Sequence, residues 1–214
     1  MKELFAELQI NCVLDVGAHH GEYASFLREI GYTKTILSFE PTPDSLSILR
    51  ARAQSEPNWK VLPYALSDNS GQREFHIFQH SKFNSLEDAS EYGSENYGLH
   101  VKQSVVVETR RLDDILASLV SGIDNPRVYL KMDTQGHDRH VLDGASGVLS
   151  GVLALQTEIG ARRIYSGTDS FGQLQDYFQA LGYLPTGFYP VNKERDGLIV
   201  VEWDCVMART QTAG

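Results

Sequence analysis

The chain alternates short apolar runs with longer stretches whose apolar residues recur at helical spacing, the rhythm of a parallel sheet with crossover helices. Cys12-Val13-Leu14-Asp15-Val16 is apolar except for one acid and predicts a buried strand, preceded by a short amphipathic helix over 3–10. A glycine-containing turn follows, then a helix over about 21–31. Thr35–Phe39 predicts a second strand, ended by Glu40-Pro41. Pro43-Asp44 opens the next helix, with proline near its start, where a missing N–H costs nothing. Lys60-Val61-Leu62 leads a third strand toward Ala65-Leu66-Ser67-Asp68.

The rhythm then changes. Residues 73–79 and 104–110 predict strands, and the polar segment 80–103 between them predicts an irregular stretch that is functional or mobile. Alternation resumes with a helix from Leu112, a strand over 127–132, a helix over 136–150, a strand over 152–158 and a helix over 170–181. Residues 183–189 and 198–208 have only a turn-rich connection, which predicts an antiparallel hairpin at the sheet edge. No repeat, low-complexity tract or linker interrupts the 214 residues, so they read as one α/β domain.

Composition narrows the function classes. The formal charge is −9 and no Lys/Arg-rich block occurs, a field that repels phosphate backbones and argues against nucleic acid as a partner. Cys12 and Cys205 both sit in apolar runs and read as buried thiols rather than a disulfide or zinc framework. The stretch MKELFAELQI carries acids and is no secretory signal, and no apolar run approaches the ~20 residues that span a bilayer. A cytoplasmic protein without a transmembrane segment is expected. Oligomeric state, a homodimer included, is not encoded.

The turn after the first strand carries the first chemistry. Asp15, Gly17 and Gly21 form D-x-G-x-x-x-G, while the dinucleotide pattern G-x-G-x-x-G is absent because His19 and Glu22 stand in it. This favours an S-adenosylmethionine (SAM) site over an NAD site, although any tight strand-to-helix turn can use two glycines. Glu40 ends the next strand, where an acid can accept both hydroxyls of a ribose, and Ser67-Asp68 end the third, where they could reach an adenine edge. A helix-start charge and a turn cap are the plainer explanations of Glu40 and Asp68 taken singly. All three features fall at strand carboxyl ends, where ligands of parallel sheets collect.

With VLDVGAHHGEY, SFEP, YALSD, RRLDDIL, KMDTQGHDRHVLDGA, the acid of LQTEIG and a final VEWDCVMAR, the chain resembles the FkbM family of SAM-dependent methyltransferases, from about residue 12 to 209. The resemblance implies a Rossmann-like class I methyltransferase fold, with a mostly parallel seven-stranded sheet and an antiparallel last strand. It implies methyl transfer to a hydroxyl of a sugar, oligosaccharide, glycolipid or related natural product. By position, Asp15, Gly17 and Gly21, with His19 and Tyr23 in the same turn, would hold the methionyl end of SAM. Glu40 would take its ribose, Ser67 and Asp68 would face its adenine, and Asp133 would lie beside the methyl group. The family often has Asn where this chain has His19.

An alcohol acceptor must lose a proton, to a general base or with help from a metal. In KMDTQGHDRH, Asp133 ends a strand, Gly136 turns the chain and His137 begins a helix, so His137 is the candidate base, with Asp133 orienting it or binding a cation. His137, Asp138 and His140 have a plain alternative as helix-start, solvated or packed side chains. Glu158 ends the fifth strand of the class and with Asp133 could hold Mg²⁺, or could hold Arg162 or a substrate hydroxyl instead. The spacing His137-x-x-His140 is not that of zinc hydrolases. For the acceptor, Asn84, Ser85, Tyr92 and Tyr97, with Tyr165 from the other side, offer aromatic faces beside polar groups. The reading is a SAM-dependent O-methyltransferase; a non-catalytic SAM- or nucleotide-binding module and an NAD-linked oxidoreductase are its rivals.

Overall fold

All five residues of strand β1 (Cys12–Val16) are buried, and their alternation sends side chains to two separate cores. The computed structural model describes residues 1–194 and 197–210. In chain order the elements are α1 (Lys2–Glu7), β1, α2 (Glu22–Glu29), β2 (Thr35–Phe39), α3 (Pro43–Ala53), β3 (Trp59–Leu62), β4 (Ala65–Leu66) and β5 (Gly71–Phe78). Then come α4 (Glu91–Tyr97), β6 (Val101–Arg110), α5 (Leu112–Leu119), β7 (Val128–Met132), α6 (Asp138–Asp143), β8 (Val152–Gly160), α7 (Phe171–Ala180), β9 (Tyr183–Lys193) and β10 (Val200–Arg209).

Seven strands form one sheet in the order β3-β2-β1-β7-β8-β10-β9, in which only β10 runs against its neighbours. This is the expected mostly parallel sheet with an antiparallel last strand. Cys12, Leu14 and Val16 pack with Leu112 of α5, Val141 and Leu142 of α6 and Phe178 of α7. Val13 packs the other way, with Phe5 of α1, Leu27 of α2 and Leu49 of α3. The sheet is therefore covered on both faces, as a parallel sheet requires. Cys12 and Cys205 are buried free thiols, as expected. Among the described residues no helix is long and apolar enough to cross a membrane.

Three expectations change. The third strand stops at Leu62; Pro63 has no N–H for the ladder, and Ala65-Leu66 pair instead with β6 in a second sheet of order β4-β6-β5. The helix expected over 136–150 is only Asp138–Asp143, followed by a short 3-10 turn at Leu149–Gly151. The backbone turns at Gly144, whose absent Cβ leaves room for the carbonyl of Ser67. The segment 80–103 is ordered: it holds a 3-10 turn (Ser81–Phe83) and α4, capped by Ser90. Phe83, Tyr92 and Tyr97 pack there on Phe78, Leu99, Ile164 and Tyr165.

Candidate active site

At the carboxyl ends of β1, β2, β7 and β8 and the amino end of the antiparallel β10 lies a cavity of about 540 Å³, a size suited to a nucleoside-bearing ligand. Its floor is set by register. Asp15 stands between Ser38 of β2 and Lys131 of β7. Ser38 Oγ donates to Asp15 Oδ2 at 3.0 Å, and Lys131 Nζ lies 3.1 Å from Asp15 Oδ1. Trp59 Nε1 in turn donates to Ser38 Oγ at 2.9 Å. The Lys131 ammonium is also 3.3 Å from the carbonyl of Gly17 and 3.7 Å from Asp133 Oδ2. Although buried, it is held firmly in its charged form by Asp15 and then Asp133, which outweigh desolvation.

The turn above β1 needs its glycines for space as well as for conformation. Gly17 has φ +74°, and a Cβ there would lie 2.0 Å from the carbonyl oxygen of Asp133. A Cβ on Gly21, φ +88°, would meet Leu49 and Trp59 at 2.8 Å. The amide of His19 donates to Glu40 Oε2 and that of Thr42 to Glu40 Oε1, each at 2.9 Å, so the acid that ends β2 is fixed from both sides. Burial pushes the Glu40 carboxyl up. His19 Nε2 lies 2.9 Å from Ser81 Oγ, and its ring stacks on His20. Burial, then the neighbouring His20, lowers the His19 pKa. The Tyr23 hydroxyl donates to Gln156 Oε1 at 3.1 Å.

The opposite wall is acidic. Asp133, Glu158, Glu202 and Asp204 all line the cavity. Glu158 and Asp204 are direct cross-strand partners, and Glu202 is two residues from Asp204 on the same face of β10. Burial pushes the Glu158 carboxyl well above the usual carboxylate range, and Asp133 and Glu202 push it the same way. Gln135 ties the wall together: its Nε2 lies 2.7 Å from Asp133 Oδ1 and 3.0 Å from Glu158 Oε2, and its Oε1 is 2.9 Å from the Tyr165 hydroxyl. Leu66, Phe75 and Leu86 give the cavity an apolar flank.

The model of the methyltransferase FkbM domain matches residues 15–185. The chain belongs to that family. No curated protein sequence matches it. Solved structures share the fold of this FkbM domain at low identity. An rRNA methylase from Streptococcus thermophilus is 12% identical with a TM-score of 0.52, over 98% of this chain and 93% of that one. A putative RNA methyltransferase from Pyrococcus horikoshii is 11% identical with a TM-score of 0.51, over 99% and 81%. A putative tRNA methyltransferase from Streptococcus pneumoniae, in complex with S-adenosyl-L-methionine, is 10% identical with a TM-score of 0.50, over 100% and 75%.

The FkbM domain is thus a class I SAM-dependent methyltransferase, and the NAD-linked rival falls. One expectation is overturned outright: nucleic acid is not excluded as a partner, because similar structures are by name RNA methylases. The error was physical. A net charge sums over the whole surface, whereas charges beyond a Debye length of about 8 Å are largely screened, so local contacts decide.

The structure gathers Gly17, His19, Tyr23, Glu40, Asn84, Asp133 and Glu158 around the cavity, together with the edge of His137. Asp15 lies beneath it, and Gly21 shapes the turn from behind. Ser67 and Asp68 are not among the residues that line the cavity; they contact His137 and His140. Ser85 is buried and donates to the Gln135 carbonyl at 2.7 Å, while Tyr92 and Tyr97 pack beside Phe83. His137 is the main surprise, since both ring nitrogens are engaged, by Glu87 and by Ser67, leaving none free for a substrate proton. Asp138 is a structural acceptor for Thr134 and Thr157. Between Asp133 and Glu158 stands the N–H donor of Gln135, where a cation would need oxygen lone pairs. Neither acid joins a three-ligand cluster among the described residues.

Lys131, Gln135, Glu202 and Asp204 were missed. A lysine inside an apolar run next to an acid-bearing strand is a usable signal for Lys131. The two acids of VEWDC alternate on a strand, but only sheet order brings them to Glu158.

Proposed function

We propose that this FkbM-family enzyme methylates a hydroxyl oxygen of a sugar, oligosaccharide, glycolipid or related natural product, with a carboxylate of the acidic wall taking the proton. SAM supplies an electrophilic methyl group whose bonding pair stays on sulfur as it leaves. Lys131 offers an ammonium for the carboxylate of the methionyl end, and Asp15 with Ser38 positions that ammonium. Glu40 accepts from the ribose hydroxyls, and Leu66, Phe75 and Leu86 offer an apolar slot for the base. The acceptor hydroxyl loses its proton to Glu158 as the new C–O bond forms, a contribution worth about 10²–10⁴-fold.

The observation that carries this reading is the Glu158 carboxyl, raised by burial and by like charges beside Asp133. A raised carboxyl is the stronger proton acceptor once ionised, which suits a weakly acidic alcohol. The test incubates the enzyme with SAM and a panel of saccharides, glycolipids and RNA, and reads the methylated atom by mass spectrometry. Methyl on oxygen, lost in Glu158→Gln while SAM binding persists by calorimetry, is expected. Methyl on nitrogen, or full turnover in that variant, overturns the assignment.

A further inference from the structure

Behind the cavity wall, His137, His140 and Glu87 meet in an arrangement that methyl transfer does not use. His137 Nδ1 lies 2.6 Å from Glu87 Oε1, and His140 Nε2 lies 3.8 Å from the same oxygen. These three atoms lie within 4.8 Å of one another, and the two imidazoles stack at 4.5 Å. We infer that Glu87, His137 and His140 form a site for a divalent transition-metal ion of the Zn²⁺ type, beside the methyl-transfer cavity, whose wall His137 shares, and independent of the acceptor's identity.

The argument rests on the atoms facing away from Glu87. A neutral imidazole that ligates through one nitrogen carries its proton on the other, and metal-binding histidines almost always give that proton to an oxygen. His137 Nε2 lies 2.9 Å from Ser67 Oγ, and Ser67 Oγ donates to Asp68 Oδ1 at 2.9 Å. His140 Nδ1 lies 3.3 Å from Asp68 Oδ2. Each outward proton therefore has an acceptor in one connected set. With that tautomer both inward lone pairs face the Glu87 carboxylate, and a divalent ion replaces the proton that otherwise bridges His137 Nδ1 and Glu87 Oε1. Arg73, 3.2 Å from Ser67 Oγ and 3.7 Å from Asp68 Oδ1, braces the outer set.

The dimensions suit the ion. Zinc bonds of about 2.0–2.2 Å in a tetrahedron put ligand atoms roughly 3.3 Å apart, between the observed 2.6 and 3.8 Å. Two imidazoles and one carboxylate match a borderline metal rather than Mg²⁺ or Ca²⁺. His137 is 1% exposed, Glu87 20% and His140 41%. Glu87 and His140 open onto a second cavity of about 320 Å³, which leaves a coordination position for water. The ion would pin Glu87, which precedes α4, to the start of α6.

The test treats the 214-residue chain with chelator, removes the chelator and titrates Zn²⁺ by calorimetry, with Co²⁺ absorption as a spectroscopic check. One equivalent of Zn²⁺ is expected, with a rise in melting temperature. Asp68→Asn keeps all three ligands and weakens binding by about 10–100-fold, and His140→Ala weakens it further while circular dichroism stays unchanged. The control His20→Ala probes the second ligand cluster, His19, His20 and Glu22, and leaves the affinity as it was. No stoichiometric binding, or binding lost in His20→Ala and kept in His140→Ala, overturns the assignment.

Discussion

Asp15 and Glu158 are both carboxylates on neighbouring regions of one sheet, yet their surroundings are opposite. Asp15, fully buried, has a cation on one side and a hydroxyl on the other, delivered by the strands that flank it. Glu158 has Asp133, Glu202 and Asp204 for neighbours, and the amide of Gln135 as its donor. A buried charge with a counter-charge is framework. A buried charge among like charges is held away from its ordinary protonation state, and such groups concentrate where proton transfer is needed.

Four experiments break or sharpen that contrast. The largest effect is expected for Glu158→Gln, which should slow methyl transfer by about 10²–10⁴-fold and, by removing a like charge, raise rather than lower the melting temperature. Lys131→Met should weaken SAM binding and also act on stability: it strands Asp15 without its cation, at a cost of about 3–5 kcal/mol, read by urea denaturation. A melting curve unchanged in this variant would contradict the framework role.

The pH dependence follows from the direction of the Glu158 shift. Its folded pKa lies above the usual carboxylate range, so the base form grows as pH rises, and kcat/KM should climb through a midpoint above that of a free glutamate. For stability the sign is reversed: the proton-bound form favours the fold at low pH, and that contribution fades as pH rises through the folded pKa. Glu158→Gln should flatten both trends. The smallest effect belongs to Ser81→Ala, which removes an exposed contact to His19 and should shift SAM affinity by no more than roughly 0.5–1.5 kcal/mol.

The parts of this molecule legible in the sequence are those written in local periodicity. β1, β2 and β7 emerged from apolar runs, and the glycine turn and Glu40 from their places at strand ends. What needed long-range pairing stayed hidden. Lys131 was visible as a residue, but its partnership with Asp15 depends on β1 lying beside β7. His137 was located correctly after its strand and given the wrong neighbour, because Glu87, fifty positions earlier, captures its ring. Tyr92 and Tyr97, read as a sugar platform, pack partly buried beside Phe83 and do not line the cavity. The charge of the whole chain misled most, since recognition is settled over a few ångströms.

One feature of the sheet bears on how the enzyme comes into being. β10, the last described strand in the chain, inserts between β8 and the edge strand β9, which among the described residues pairs with no other strand. It also carries Glu202 and Asp204, half of the acidic wall. In chain order the cofactor turn, the cavity floor and Glu158 all precede β10, so half of the acidic wall is the last part of the site to be made.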